Sequence, residues 1–200
     1  MAIYRYLVCM VLFLALMQIP AANEWAYWYR DAILSGEVWR ILTGNLTHTN
    51  YWHLLMNSLA LIMIVYTYQE LVRPLKFSLL IAAISIVIGV AHLATGDYAL
   101  AGLSGTLHGL LAWCAIQDIR ECPKDSDSEN HRKRRQFGWI VLIGLGIKIG
   151  YELLHGGNSV TADLINAQVA VDAHAIGALT GVIIGILPPP WHGGNSPRKK

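Results

Sequence analysis

The sequence predicts an all-α membrane protein of six transmembrane helices, with the N- and C-termini both cytoplasmic. Three observations carry that reading. Charged residues make up 14% of the 200-residue chain, against roughly 25% in soluble domains. The apolar residues fall into six blocks, each near the length that crosses about 30 Å of hydrocarbon. The lysines and arginines, finally, are divided very unevenly between the connecting segments. A chain of this length builds one compact unit, so residues 1–200 are read as a single membrane domain. The net charge of +2 decides little, and Cys9, Cys114 and Cys122 form no disulfide framework.

The first block, residues 3–20, meets no clear small-residue cleavage site before the polar stretch and is read as a retained helix. Residues 21–50 hold Trp25, Tyr27, Trp28, Tyr29 and Trp39. Aromatic rings of this kind favour the headgroup region, so a helix lying along the outer interface is expected. Residues 52–68 and 75–94 give the second and third spans. The fourth, 100–116, is short and interrupted by Ser104, Thr106 and His108. Its Gly105 and Gly109 have the small-xxx-small spacing that lets membrane helices pack backbone to backbone. Residues 119–136 read as a cytoplasmic linker whose basic end anchors the topology. No aromatic residue is interleaved with its arginines, which argues against nucleic acid as a partner. The fifth span, 137–154, contains Lys148 and Glu152 four apart on one face, a spacing that predicts an ion pair. The sixth, 167–187, carries a stripe of Gly177, Gly181 and Gly185.

Orientation follows from the cations. With the N-terminus inside, twelve Lys and Arg residues fall on the inner side, and only Arg30 and Arg40 lie outside. The sequence His-Gly-Gly-Asn-Ser occurs at 155–159 and again at 192–196, on opposite sides, and is read as coincidence.

Polar groups inside a bilayer must be paired or functional. Three clusters need an explanation: Ser104 between Gly102 and Gly105; His53 and Asn57, four apart on one helical face; and His174 above Gly177 and Gly181. At 1.5 Å per residue all three lie roughly 6–12 Å beneath the outer surface. A close crossing of the two glycine stripes then brings the Ser104 hydroxyl to the His174 imidazole. Such a dyad activates serine for attack on a carbonyl. The Ser104 N–H and the side chains of His53 and Asn57 are candidate donors to the developing oxyanion. His108, one turn from Ser104, is a rival base but is poorly aimed, and reads better as a stacking partner of His174. Asp172 points to the opposite side of its helix and is read as a structural pair. A Ser104–Lys148 dyad is disfavoured because Glu152 holds the lysine protonated.

These motifs, in this order, resemble the rhomboid intramembrane serine proteases: Trp39-Arg40, His48-x4-His53-x3-Asn57, Gly102-x-Ser104-Gly105 and Ala173-His174-x2-Gly177-x3-Gly181. The resemblance implies a six-helix rhomboid-like bundle with Ser104 as nucleophile, His174 as base, and His53 and Asn57 at the oxyanion site. His48 and Arg40 would be structural, tying the outer loop to the second helix. It further implies a multi-pass protein of the bacterial inner membrane, with its site toward the periplasm and a transmembrane protein as substrate. The fifth span and the aromatic loop would admit that substrate, and no cofactor or metal would be needed. Where many rhomboids carry tyrosine, this chain has His108. The Ser-Gly-x-Leu-His-Gly form and the short length are similar to the rhombosortase branch. That branch is thought to cut exported proteins at a C-terminal Gly-Gly followed by a hydrophobic helix and a basic tail. Two alternatives stand beside it. One is a general rhomboid with other transmembrane substrates. The other is a non-enzymatic protein ligating haem or metal through His53, His108 and His174, in which the glycines around Ser104 have no role.

Overall fold

The computed structural model describes residues 2–95, 99–120, 129–156 and 160–187. Cys122, Lys124, the basic residues 198–200 and the repeat copy at 192–196 lie outside the described residues, as do 157–159 of the first copy. Ten α-helices are described: α1 (Ala2–Leu16), α2 (Pro20–Ala26), α3 (Arg30–Leu34), α4 (Arg40–Thr43), α5 (Tyr51–Thr67), α6 (Pro74–Thr95), α7 (Ser104–Arg120), α8 (Glu129–His155), α9 (Val160–Ile165) and α10 (Val171–Ile186). A 3-10 turn, Gly44–Leu46, joins α4 to the loop before α5. By length and apolar composition, α6 and α8 are each sufficient to cross a membrane.

Four element boundaries differ from the sequence reading: the sixth span begins at Val171 and not at 167, residues 167–170 being non-helical, and the other three differ as follows. The first block does not run straight to Pro20. α1 ends at Leu16, and α2 leaves at 92°. Pro20 opens α2, where its missing N–H costs nothing. The fourth block does not start at residue 100. Residues 99–103 are non-helical, with Leu100 bridged to Trp28, and α7 begins at Ser104 itself. Gly102 sits at φ +112°, a left-handed conformation that ends the extended stretch just before the serine. The linker is shorter than 119–136, because α7 continues to Arg120 and α8 starts at Glu129. Arg134 in the first turns of α8 reaches Asp118 of α7 at 2.8 Å and Glu70 at 2.8 Å, so part of the basic run is a tie between helices.

The aromatic loop also differs from a single interfacial helix. It folds as α2, α3, α4 and the 3-10 turn. Trp25, Tyr29 and Trp39 are exposed, but Trp28 is buried in the bundle. Its Nε1 donates to the Gly89 carbonyl at 3.1 Å, and its ring meets His92 edge-on at 4.6 Å.

α7 is the central helix, buried along nearly its whole length. It packs against α10, α8, α6 and α5. Ile84, Ile88, Leu103 and Leu110 form the middle of the core. Where α7 crosses α10 there are no side chains between the backbones. A Cβ on Gly105 would lie 2.8 Å from the Ala173 carbonyl oxygen, and one on Gly109 would lie 2.6 Å from that of Gly177. In the reverse direction, Gly177 faces the Gly105 carbonyl and Gly181 that of Gly109, both too close for any Cβ. At the far end, Arg120 donates to the Gly185 carbonyl at 2.5 Å, satisfying an orphan group in the last turn of α10.

This crossing predicts a position-specific cost. Gly177→Ala should lower stability by about 1–3 kcal/mol, the range for overpacking a tight interior. Gly146→Ala, on α8 with nothing within 4 Å of the added methyl, should change it by less than about 1 kcal/mol. Thermal unfolding of the two variants in one detergent measures the difference; equal midpoints would contradict the crossing.

Candidate active site

The start of α7 places Ser104 in its first helical position, with the N–H groups of that turn directed away from the helix body. α10 places His174 one turn from its own start, buried at 5% exposure. Ser104 Oγ and His174 Nε2 are 2.9 Å apart. The residue pair Gly105 and Gly177 lies directly beneath, so the register of the glycine crossing sets this distance.

His108, on the Ser104 face of α7, stacks on His174 with centroids 4.1 Å apart and planes 14° apart. Its Nδ1 donates to the Ser104 carbonyl oxygen at 2.7 Å, a bond that fixes the proton on that nitrogen because a carbonyl only accepts. Ser104 Oγ is therefore bonded to His174, and His108 bonds the backbone of the same serine.

α5 supplies the opposite wall. The Asn50 side chain caps the helix by accepting from the His53 N–H at 2.9 Å. Thr49 Oγ1 donates to the Ile165 carbonyl at 2.7 Å, so it accepts from His53 Nδ1 at 3.1 Å. In the neutral ring this leaves Nε2 with a lone pair. Asn57 is 5% exposed, and among the described residues its Nδ2 has no hydrogen-bond partner. A methyl on Gly102 would lie 2.5 Å from His53 Nε2 and 3.6 Å from Asn57 Nδ2. Both polar groups thus look onto the backbone just before the serine. Ser104, His174, His108, His53 and Asn57 line a cavity of about 210 Å³ that also meets Gln168.

The loop residues serve as supports. Arg40 is buried and donates to the carbonyls of Glu24 and Tyr27, each at 2.7 Å, and pairs with Glu37. It therefore ties the loop to itself and not to α5. Trp39 stacks on Trp25 at 5.3 Å and donates to its carbonyl at 3.1 Å. His48 meets His53 edge-on at 5.1 Å, and burial pushes its imidazole down to about 3, so it stays neutral. Asp172 bonds His92 at 3.2 Å, away from Ser104.

One contact was not read from the sequence. Glu152 of α8 pairs with Lys148 at 2.6 Å through Oε1, and its Oε2 lies 2.9 Å from His174 Nδ1. The spacing within segment five shows the ion pair alone; that the second oxygen faces another helix is a tertiary fact. A charged group at the depth of His174 was the available signal. His108, Glu152 and His174 offer ligand atoms within 4.8 Å of one another. Both nitrogens of His174 are already engaged, however, and the two rings lie in near-parallel planes, so their lone pairs do not converge on a metal.

A hydroxyl held on a buried imidazole, in a hollow between apolar helices, stands at the centre of this membrane-embedded helical protein. The chain belongs to the rhomboid family: the Rhomboid domain matches residues 35–189. It is also 30% identical over 161 residues to "Putative rhomboid protease YdcA" of Bacillus subtilis (strain 168), an alignment covering 80% of this chain and 71% of that protein.

Gly102 is where the site is least tolerant. Gly102→Ala should be destabilised, because φ +112° strains any L side chain by about 1–3 kcal/mol and the methyl strikes the His53 ring. The check is thermal unfolding against Gly36→Ala, which shares φ +112° but has nothing within 4 Å. A loss no greater than that of Gly36→Ala would remove the clash from the account.

Proposed function

We propose that this chain is an intramembrane serine endopeptidase with Ser104 as nucleophile and His174 as base. The single observation that carries the reading is the 2.9 Å contact between Ser104 Oγ and His174 Nε2, inside a cavity that a peptide bond can enter. Membership of the rhomboid family points the same way.

The chemistry balances with these groups alone. His174 Nε2 takes the hydroxyl proton while Oγ bonds to the scissile carbonyl carbon, and the carbonyl electron pair moves onto oxygen. That oxyanion forms at the N-terminus of α7, where the first-turn N–H groups and the helix dipole favour negative charge. Asn57 Nδ2 supplies a further donor; a buried donor left unpaired costs about 1–3 kcal/mol, a cost relieved when the oxyanion accepts from it. His53 joins as a donor only as an imidazolium, since Thr49 takes its Nδ1 proton in the neutral ring. Collapse breaks the C–N bond, and the imidazolium proton goes to the leaving amine. Water, deprotonated in turn by His174, then hydrolyses the acyl-serine and restores the hydroxyl. Arg40, His48, Gly109 and Gly181 hold the scaffold, and His108 holds the plane of the base.

The six long helices form one domain over residues 1–200 that crosses a bacterial inner membrane six times. Both termini are cytoplasmic and the cavity opens toward the periplasm, as the distribution of Lys and Arg supports. The substrate is a transmembrane protein entering sideways. Its finer class, a C-terminal Gly-Gly before a hydrophobic helix and basic tail, rests on Ser104–Gly109 in the rhombosortase-like form. Glycines at the cut would place no side chain against the His53–Gly102 wall.

The deciding experiment is co-expression with membrane proteins carrying such a tail. Ser104→Ala and His174→Ala should each lower cleavage at least about 1,000-fold with thermal stability retained; full activity in either ends the dyad. Cleavage only of substrates without Gly-Gly would replace the branch by a general rhomboid. Asn57→Ala should lower kcat about 10- to 100-fold with KM within about twofold, because its donor acts on the transition state.

A further inference from the structure

We infer that Glu152 is a positioning residue for the base, so that the centre works as Ser104–His174–Glu152 with its third member delivered by α8. The inference rests on the serine-protease reading above and deepens it.

The geometry is a continuous line. Ser104 Oγ lies 2.9 Å from His174 Nε2, and His174 Nδ1 lies 2.9 Å from Glu152 Oε2. A carboxylate only accepts, so Nδ1 carries the proton and donates it to Glu152. The neutral ring then has its lone pair on Nε2, the nitrogen facing the hydroxyl. This is the tautomer a base requires. When the ring becomes an imidazolium, the same carboxylate balances its charge in a site where the ring is 6% exposed and the carboxylate 20%. His108 fixes the ring plane by stacking, but its Nδ1 is spent on the Ser104 carbonyl, so it gives no partner to His174 Nδ1. Asp172, two residues before His174, is bonded to His92. Lys148 takes the other oxygen of Glu152 at 2.6 Å and stands outside this line, its side chain 47% exposed.

The Lys148 contact makes a discriminating test. In Glu152→Gln the ammonium, a donor only, claims the amide oxygen. The amide NH₂ is left facing His174 Nδ1 and selects the wrong tautomer, with the proton on Nε2. Removing the lysine frees the amide to turn its oxygen to Nδ1.

The full chain in detergent is labelled with a fluorophosphonate probe, which phosphonylates an activated serine without any protein substrate. Ser104→Ala is the control, and thermal unfolding is followed in parallel. Glu152→Leu and Glu152→Gln should lower the maximal labelling rate about 10- to 100-fold while the probe concentration for half-maximal rate stays within about twofold. Lys148→Met should keep at least about a third of the rate, and Lys148→Met with Glu152→Gln should regain about tenfold over Glu152→Gln. Glu152 variants labelling at the unmodified rate would overturn the positioning role alone. So would Lys148→Met losing as much as Glu152→Leu, with the Lys148→Met, Glu152→Leu double variant restored, since that pattern belongs to an ion pair that only holds α8. An unmodified chain with no Ser104-dependent labelling would overturn the nucleophile, and this role with it.

Discussion

The contact between the backbones of α7 and α10 sets how Ser104 meets His174. In lipid there is no water to expel from between helices, so their approach is limited by side-chain bulk and rewarded by close packing. Gly105 and Gly109 on one helix and Gly177 and Gly181 on the other remove that bulk at every point of the crossing. Ser104 adjoins the first of these glycines, and His174 stands three residues before Gly177. The separation of hydroxyl and imidazole is therefore the register of the crossing. A slide of a single residue moves one helix by 1.5 Å, enough to break a 2.9 Å hydrogen bond.

Around that contact, the buried polar groups divide into those with partners and those awaiting one. Arg40, Thr49, Asn50 and His92 are each bonded within the fold. They join the loop turns to one another, α5 to the segment before α10, and α6 to α10. Asn57 Nδ2 is different: it is buried without a partner among the described residues, on the wall facing the backbone before Ser104. His48 Nε2, Ser58 Oγ and the Tyr68 hydroxyl are likewise buried without a partner among the described residues, so what sets Asn57 Nδ2 apart is its place, 3.6 Å from where a methyl on Gly102 would stand.

The legible part of the molecule was the part written in local spacing. Apolar block lengths gave the long helices, and small-xxx-small spacing marked both glycine stripes. Four-residue spacing put His53 with Asn57 and Ser104 with His108. What escaped was set by contacts between distant segments. Gly102 is legible as a glycine flanking Ser104 but sits inside a run read as helix; only its left-handed backbone against the His53 ring shows that the helix begins after it. Trp28 has the composition of a headgroup anchor, yet its ring fills a core position because Gly89 of α6 offers a carbonyl at the right height. Lys148 and Glu152 fulfil one another on their own helix, which hides the second bond of the carboxylate.

That second bond also says something about α8. Among the described residues of this helix, only Gly138 and Leu145 are fully buried, and Gly144, Gly146 and Gly150 have nothing within 4 Å of where a side chain would stand. Arg134 ties one end to Asp118 and Glu70, and Glu152 ties the other to His174. A helix with few buried side chains of its own thus carries the acceptor for the buried imidazole. The register of Ser104 and His174 is set at the glycine crossing of α7 and α10, to which α8 contributes no glycine. The proton on Nδ1 keeps its partner only while α8 is docked. On the proposed reading, the geometry of attack is set by the crossing of α7 with α10, and the tautomer of the base by the contact that α8 makes with His174.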